Sequence, residues 1–126
     1  MQGSKPLSIA CGLLTLAGAA HAGEACTPQP GIPVANLAQL PAEVQAELAS
    51  MGPVSDPGGA FSPSDVVDAA HPVPTQRLVS GLAGPDCILL TIEKGGRGYS
   101  HGVLRFERVD GHWVLASLVY QQPAGR

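Results

Sequence analysis

The sequence has few basic residues, few aromatic residues and little charge of either sign. Its seven Lys and Arg side chains are outnumbered by ten Asp and Glu, which makes the formal net charge −3 at pH 7. Because no basic patch is evident, nucleic acids and anionic membranes are not expected as partners. Only five aromatic residues are present, and four of them lie between positions 99 and 120. That stretch is therefore the expected centre of the fold.

Signatures of catalysis and of metal binding are also missing. The chain contains no G-x-S-x-G, no H-E-x-x-H and no paired-acid spacing. Asp65, Asp68 and His71 could align three ligand-type groups on a short helix, but no fourth ligand is evident. The glycine-rich residues 94–98 join two strands rather than a strand and a helix, so they indicate a flexible loop and not a phosphate site. We therefore predict no cofactor, no metal ion and no catalytic residue.

The N-terminal segment has the pattern of a cleavable signal peptide. Lys5 precedes a mostly apolar stretch over residues 7–20, and Ala20-His21-Ala22 forms an A-x-A cleavage site. The stretch is shorter than the roughly 18–20 residues that a membrane-spanning helix needs. We expect residues 1–22 to be removed and residues 23–126 to form one small domain, periplasmic or secreted, without a stable membrane anchor.

Cysteine is scarce, and its positions predict a disulfide bond. Cys11 lies inside the apolar stretch that should be cleaved, which leaves Cys26 and Cys87. Two cysteines in a small exported domain are usually bonded, and here only one intramolecular pairing is possible. The bond would tie an N-terminal arm to the sheet. The alternative, two unpaired thiols, remains open at this point.

Strand patterns dominate the second half of the chain. Four apolar runs occupy residues 76–83, 87–93, 99–109 and 112–120. They are separated by Gly84-Pro85-Asp86, by residues 94–98 and by Asp110-Gly111. Asp-Gly between two such runs is a strong hairpin signal, because a type I′ turn needs positive φ at both central residues. The pattern predicts a four-stranded antiparallel meander.

One helix is predicted before the meander. Residues 41–51 are mainly good helix formers, begin with a proline suited to the first turn and end before Gly52-Pro53. Their apolar members and the preceding leucine share one stripe: Leu40, Val44, Leu48 and Met51. The predicted fold class is α+β, with this helix packed on one face of the sheet and the N-terminal arm held by the disulfide.

The Asp110-Gly111 turn also predicts which residues share a face of the sheet. Counting back from the turn places Phe106 opposite Leu115, on the core side, and His101 opposite Tyr120, on the other side. That other side, with the loop before it, concentrates residue types favoured at contact surfaces. The candidate binding residues are Tyr99, His101, Arg105, Glu107, Tyr120 and Arg97. The alternative is a solvated face with an ordinary Arg105–Glu107 ion pair.

A binding function is the first expectation for such a domain. Small exported α+β domains without a catalytic signature often bind, and some inhibit, another protein; inhibitors of cell-wall lytic enzymes and immunity-type proteins are an analogy at the level of the fold. The alternative is a small enzyme or ligand carrier with a pocket between helix and sheet. A core filled by side chains favours the first hypothesis. A polar cavity lined by His71, His101 or Asp65 favours the second.

Overall fold

The computed structural model describes Gly3 and residues 26–64, 69–96 and 98–121. Apart from Gly3, the predicted signal peptide and its cleavage site lie outside the described residues, as do Asp65, Asp68 and Arg97. The described residues contain no helix that is both long and apolar enough to span a membrane.

Six strands form one sheet: β1 Ile32–Pro33, β2 Val54–Ser55, β3 Gln76–Ala83, β4 Cys87–Lys94, β5 Ser100–Val109 and β6 His112–Gln121. Strands β3 to β6 form the predicted antiparallel meander. The predicted number of four strands is wrong, because β1 and β2 also pair with β3. Each of them has only two residues in a segment rich in Pro and Gly, which is too short to show an alternating apolar pattern.

The two short strands cover one edge of the sheet. Strand β1 pairs antiparallel with the end of β3, where Ile32 lies opposite Ala83. Strand β2 pairs in parallel with the beginning of β3, where Val54 lies opposite Gln76. The order of the sheet is therefore β1-β3-β4-β5-β6, and β6 forms the edge opposite β1. Strand β2 lies on the same side of β3 as β1 but at the other end of β3.

Helix α1 spans Ala42–Ser50, one residue shorter at each end than predicted. Pro41 is the N-cap, with φ −56° and extended ψ, so it precedes the helix rather than beginning it. Met51 is the C-cap, and the following Gly52 adopts φ 118°, a left-handed conformation that glycine tolerates without strain. A 3₁₀ helix, Leu37–Gln39, comes just before α1.

The core lies between α1 and one face of the sheet. Its buried members are Val34, Leu40, Val44, Leu48, Leu78, Ile88, Leu90, Ile92, Leu104 and Phe106. The helix contributes Val44 and Leu48, which are four residues apart and so lie on one side of it. The predicted helix on a largely antiparallel sheet, and with it the α+β class, is confirmed.

The predicted disulfide joins Cys26 to Cys87, whose Cα atoms are 5.7 Å apart. Cys87, at the start of β4, is buried. Beside the bond the arm passes close to the β3–β4 turn, where a Cβ on Gly84 would lie 2.9 Å from the Cα of Pro28. A disulfide is typical of proteins exported to an oxidising compartment and fits a location outside the cytoplasm.

The register of the β5–β6 hairpin is as predicted only near its turn. Asp110 and Gly111 have φ of 51° and 80°, as the type I′ turn requires, and Phe106 lies opposite Leu115. A bulge then makes Ala116 an extra residue of β6, so that every pair beyond it is shifted by one. The predicted pairing of His101 with Tyr120 is therefore wrong. The pairs on that side of the bulge are Arg105–Ser117, Leu104–Leu118, Val103–Val119, Gly102–Tyr120 and His101–Gln121.

Candidate functional site

The face of the sheet turned away from α1 carries the candidate site, and we call it the outer face. Residues opposite each other in neighbouring strands project to the same side, so the pairing arranges this face in rows across β3 to β6. In order from one end, the rows are Arg77–Glu93–His101–Gln121, Ser80–Thr91–Val103–Val119, Leu82–Leu89–Arg105–Ser117 and Cys87–Glu107–Val114. The first row is polar, and apolar side chains are concentrated in the next two.

A buried carboxylate organises the first row. Glu93, with a side chain only 10% exposed, forms an ion pair with Nε of Arg77 on the neighbouring strand. The Tyr99 hydroxyl donates a second hydrogen bond to the other carboxylate oxygen at 2.6 Å. Arg77 also donates from Nη1 to the carbonyl of Gly59 at 2.8 Å. Burying the charge of Glu93 is tolerable because both of its oxygens have donors.

Phe61 joins this network from the segment before β3. The Arg77 guanidinium lies 4.4 Å from the centroid of its ring, within the range of a cation–π contact. The ring of Tyr99 meets Phe61 edge-on, with centroids 6.5 Å apart. A backbone hydrogen bond from Ser62 to Pro74 holds the segment in place. We call Phe61, Arg77, Glu93, Tyr99 and His101 the Glu93 cluster. Its members come from β3, β4, β5, the residue just before β5 and the segment before β3.

His101 is the member of the cluster that extends the network along the outer face. Its Nε2 lies 2.8 Å from the Tyr99 hydroxyl, and the two rings are perpendicular with centroids 4.9 Å apart. Because Tyr99 already donates its proton to Glu93, the hydroxyl oxygen accepts from an Nε2–H of His101. Both hydrogen bonds therefore run in one direction: His101 donates to Tyr99, and Tyr99 donates to Glu93.

The pKa shifts in the cluster favour a structural role over acid–base catalysis. Burial raises the pKa of Glu93, but hydrogen bonds from Tyr99 and Arg77 and the nearby positive charge outweigh it, so the net pKa lies below the ordinary value. The hydrogen bond to Glu93, with desolvation and the carboxylate charge, raises the pKa of Tyr99. Near neutral pH the carboxylate is thus an ionised acceptor and the phenol a neutral donor. A general base poised near pH 7 would need the opposite shifts.

An ion pair lies further along the outer face. Arg105 Nε is 3.5 Å from Glu107 Oε1, and the two side chains are 25% and 32% exposed. Nε itself is buried and has no hydrogen-bond partner. Such a half-exposed pair adds little to stability. Close to it are the exposed valines of neighbouring rows, Val103 (37%), Val114 (42%) and Val119 (52%).

The structure brings together four of the six predicted binding residues. Tyr99 and His101 belong to the Glu93 cluster, and Arg105 and Glu107 lie on the same face. Tyr120 does not, because the bulge places it opposite Gly102 on the helix side of the sheet, where Lys94 Nζ is 5.5 Å from its ring. The sixth residue is Arg97, which lies outside the described residues.

Three members of the Glu93 cluster were missed by sequence reasoning: Phe61, Arg77 and Glu93. For two of them a signal existed. Arg77 and Glu93 are opposite charges near the far end of the β3–β4 hairpin, and pairing the two strands through Gly84-Pro85-Asp86 sets them across from each other. Phe61 is 16 residues before Arg77 in a segment without strand pattern, so only the fold brings it to the site.

The space between helix and sheet is filled by side chains. The largest of these with under 2% exposure are Phe106, Leu78, Ile88, Leu90, Ile92, Leu104 and Val44. An apolar groove of about 390 Å³ opens instead at the surface, between the N-terminal arm and Trp113, and a smaller depression of about 140 Å³ lies beside α1. Neither is lined by His71 or His101. Within the described ranges, no three His, Cys, Asp or Glu side chains are grouped so that they could hold a metal ion.

Comparison with known proteins found no match. No protein-family model, curated protein or solved structure matches the chain. The function therefore has to be argued from the geometry of the outer face and of the core.

Proposed function

We propose that this chain is an exported protein that binds another protein through the outer face of its sheet. The observation that carries the proposal is the group of exposed valines, Val103, Val114 and Val119, beside the Arg105–Glu107 ion pair. Apolar side chains grouped on a surface and rimmed by polar ones mark interaction sites. No described strand or helix is packed over the valines of β5 and β6.

The Glu93 cluster supports the proposal by holding part of this face rigid. Tyr99 is held by Glu93 and by the ring of Phe61, and His101 is held by Tyr99. Side chains that are already ordered lose less conformational entropy when a partner binds. Tyrosine and arginine are also the residue types that contribute most at the centre of protein interfaces.

The alternative of an enzyme or carrier with a pocket between helix and sheet has less support. A site for a small ligand is usually an enclosed, mostly apolar cavity of about 300–1,000 Å³ with a few convergent polar groups. Here buried leucine, isoleucine, valine and phenylalanine occupy that space, and the groove of about 390 Å³ is apolar and open at the surface. The pKa directions of Glu93 and Tyr99 likewise do not suit proton transfer at neutral pH.

Other features of the chain support the proposed location and class of partner. The Cys26–Cys87 disulfide and the predicted signal peptide support a periplasmic or secreted protein. An acidic chain without a basic patch suits a protein partner better than nucleic acid. Inhibition is one consequence that such binding can have for its partner.

Affinity capture from the exported fraction tests the proposal. The baits are the wild type, the outer-face variant His101→Ala/Arg105→Ala, and the control Glu47→Ala, which changes an exposed charge on α1. All three should remain folded with similar melting temperatures, since Glu47 is exposed, His101 and Arg105 are half-buried, and changes outside the core seldom alter stability by more than about 1 kcal/mol.

The proposal predicts one protein that is captured by the wild type and by Glu47→Ala but lost from the outer-face variant. Mass spectrometry identifies it, and purified partner then gives the loss in affinity directly. Equal capture by all three baits, or none by any of them, would refute the outer face as the binding surface. Residues 94–98 would then be the next surface to test.

A further inference from the structure

Strand β6 is the open edge of the sheet. The outer side of β3 is covered at both ends by β1 and β2, whereas no strand of the described residues pairs with the outer side of β6. In a strand with one antiparallel neighbour, every second residue directs its N–H and C=O groups away from that neighbour. Ten residues of such an edge form a template on which another strand can add.

The side chains of β6 do not protect this edge. Between Trp113 and Gln121 there is no charged residue and no proline, the two residue types that most often block edge pairing. Four large apolar residues of β6 are exposed: Val114, Leu118, Val119 and Tyr120. A bulge at Ala116 is present, and bulges can turn an edge away from a partner. Here the bulge has a second consequence.

The bulge makes β6 complementary to itself. Val114 and Val119 lie on the outer face because they pair with Glu107 and Val103, and Leu118 lies on the helix side because it pairs with Leu104. Without the extra residue, positions 114 and 119 would project to opposite sides, since they are an odd number of residues apart. With it, two antiparallel copies of β6 can pair Val114 with Val119 while both faces match.

We infer that β6 is a dimerisation strand, through which two copies of this chain join edge to edge about a two-fold axis between Ala116 and Ser117. In this register Val114 lies opposite Val119 of the second copy, Leu115 opposite Leu118, and Trp113 opposite Tyr120. Valine faces valine, leucine faces leucine and aromatic faces aromatic, and no like charges meet. An isologous contact needs this self-complementarity. The two sheets become one, and the two outer faces lie side by side.

Cysteine cross-linking tests the register. Val114→Cys and Val119→Cys are made separately on a Cys11→Ser background, so that each chain carries one new thiol besides the native disulfide. In the proposed register the same position in the two copies lies five residues apart along the strands, about 16 Å, whereas a disulfide needs Cα atoms within about 7 Å. An equal mixture of the two variants should form a covalent dimer under mild oxidation, and each variant alone should form little. Cross-linking of each variant alone to the same extent, or none in the mixture, would overturn the proposed pairing.

The mass in solution tests the dimer itself without cross-linking. Light scattering should give the exported wild type twice the mass of one chain. Val114→Lys/Val119→Lys sets lysines opposite lysines and should halve that mass, as should Val114→Glu/Val119→Glu. Mixing these two variants should restore the doubled mass, because opposite charges then meet. The control Val79→Lys/Val109→Lys changes exposed valines outside β6 and should remain dimeric.

Two outcomes would refute the dimer. One is a wild type with the mass of a single chain at its highest soluble concentration, which would leave β6 free for a strand of a different protein. The other is a mixture of the lysine and glutamate variants that stays monomeric. The dimer and the proposed partner fail separately, since His101→Ala/Arg105→Ala leaves β6 unchanged and can abolish capture without changing the mass.

Discussion

The hydroxyl of Tyr99 lies 2.6 Å from Oε2 of Glu93 and donates to it, which ties the residue just before β5 to the end of β4. The same hydroxyl accepts from His101, so the bond connects a buried charge to the surface of the outer face. Because the bond favours the ionised carboxylate and the neutral phenol, its loss should be visible in the pH dependence of stability.

Tyr99→Phe should make the protein less resistant to acid. The folded pKa of Glu93 is lower than its unfolded value, so this group stabilises the fold above the unfolded pKa of about 4.3 and the stabilisation is lost as pH falls through the lower folded pKa. Removing one donor raises the folded pKa, which should move the midpoint of acid unfolding to higher pH. Circular dichroism against pH measures that midpoint. Tyr120→Phe is the control, and an equal shift in both variants would contradict the role of the Tyr99–Glu93 bond.

Cys87→Ser should lower the melting temperature markedly. The Cys26–Cys87 bond closes a loop with a sequence separation of 61, and removal of a native disulfide from a small domain typically costs about 2–5 kcal/mol. Cys26→Ser should have a similar effect, since either change breaks the same bond. Reduction of the wild type with a thiol reagent should reproduce the loss in a thermal melt. If both variants melt at the wild-type temperature, the disulfide does not stabilise the fold.

Phe106→Ala and Arg105→Ala should have very different effects on stability, although the residues are neighbours in β5. Phe106 is 1% exposed in the core, and its truncation should cost about 3–5 kcal/mol. Arg105 lies on the outer face, and its Nε has no hydrogen-bond partner to lose, so truncation should change the free energy of unfolding by less than about 1 kcal/mol. Urea denaturation measures both. The reverse order would show that the two faces of β5 are assigned the wrong way round.

Gly95→Ala and Gly98→Ala make the same change at two sites of one loop, and only Gly95→Ala should lower the stability of the fold. A Cβ on Gly95 would collide with the Ser62 carbonyl and lie 2.8 Å from the Pro63 Cα, in the segment that carries Phe61. Overpacking of this kind typically costs about 1–3 kcal/mol. A Cβ on Gly98 would meet nothing within 4 Å. Equal stability of the two variants in urea would show that the segment around Ser62 does not pack against the loop.

Much of the architecture is determined by local patterns in the sequence. Alternating apolar residues place β3 to β6, a run of good helix formers places α1, and Asp110-Gly111 sets the type I′ turn. The disulfide was also predictable, since two cysteines remain after the expected cleavage and admit one pairing. Of the candidate site, Tyr99, His101, Arg105 and Glu107 were found because they lie on one side of β5 or just before it, which period-2 alternation predicts.

Only the tertiary structure decided the remainder, because it depends on contacts between distant segments. Strands β1 and β2 exist because the chain passes beside β3, where its backbone groups find partners. The bulge at Ala116 lies among apolar and small residues, so the sequence of β6 does not favour the register without an extra residue over the register with one. The pairing of β5 with β6 decides between the two registers. That single residue moved Tyr120 off the outer face. Phe61 reached Glu93 in the same way, since packing of a loop segment against strands around one buried charge is a property of the fold and not of any local pattern.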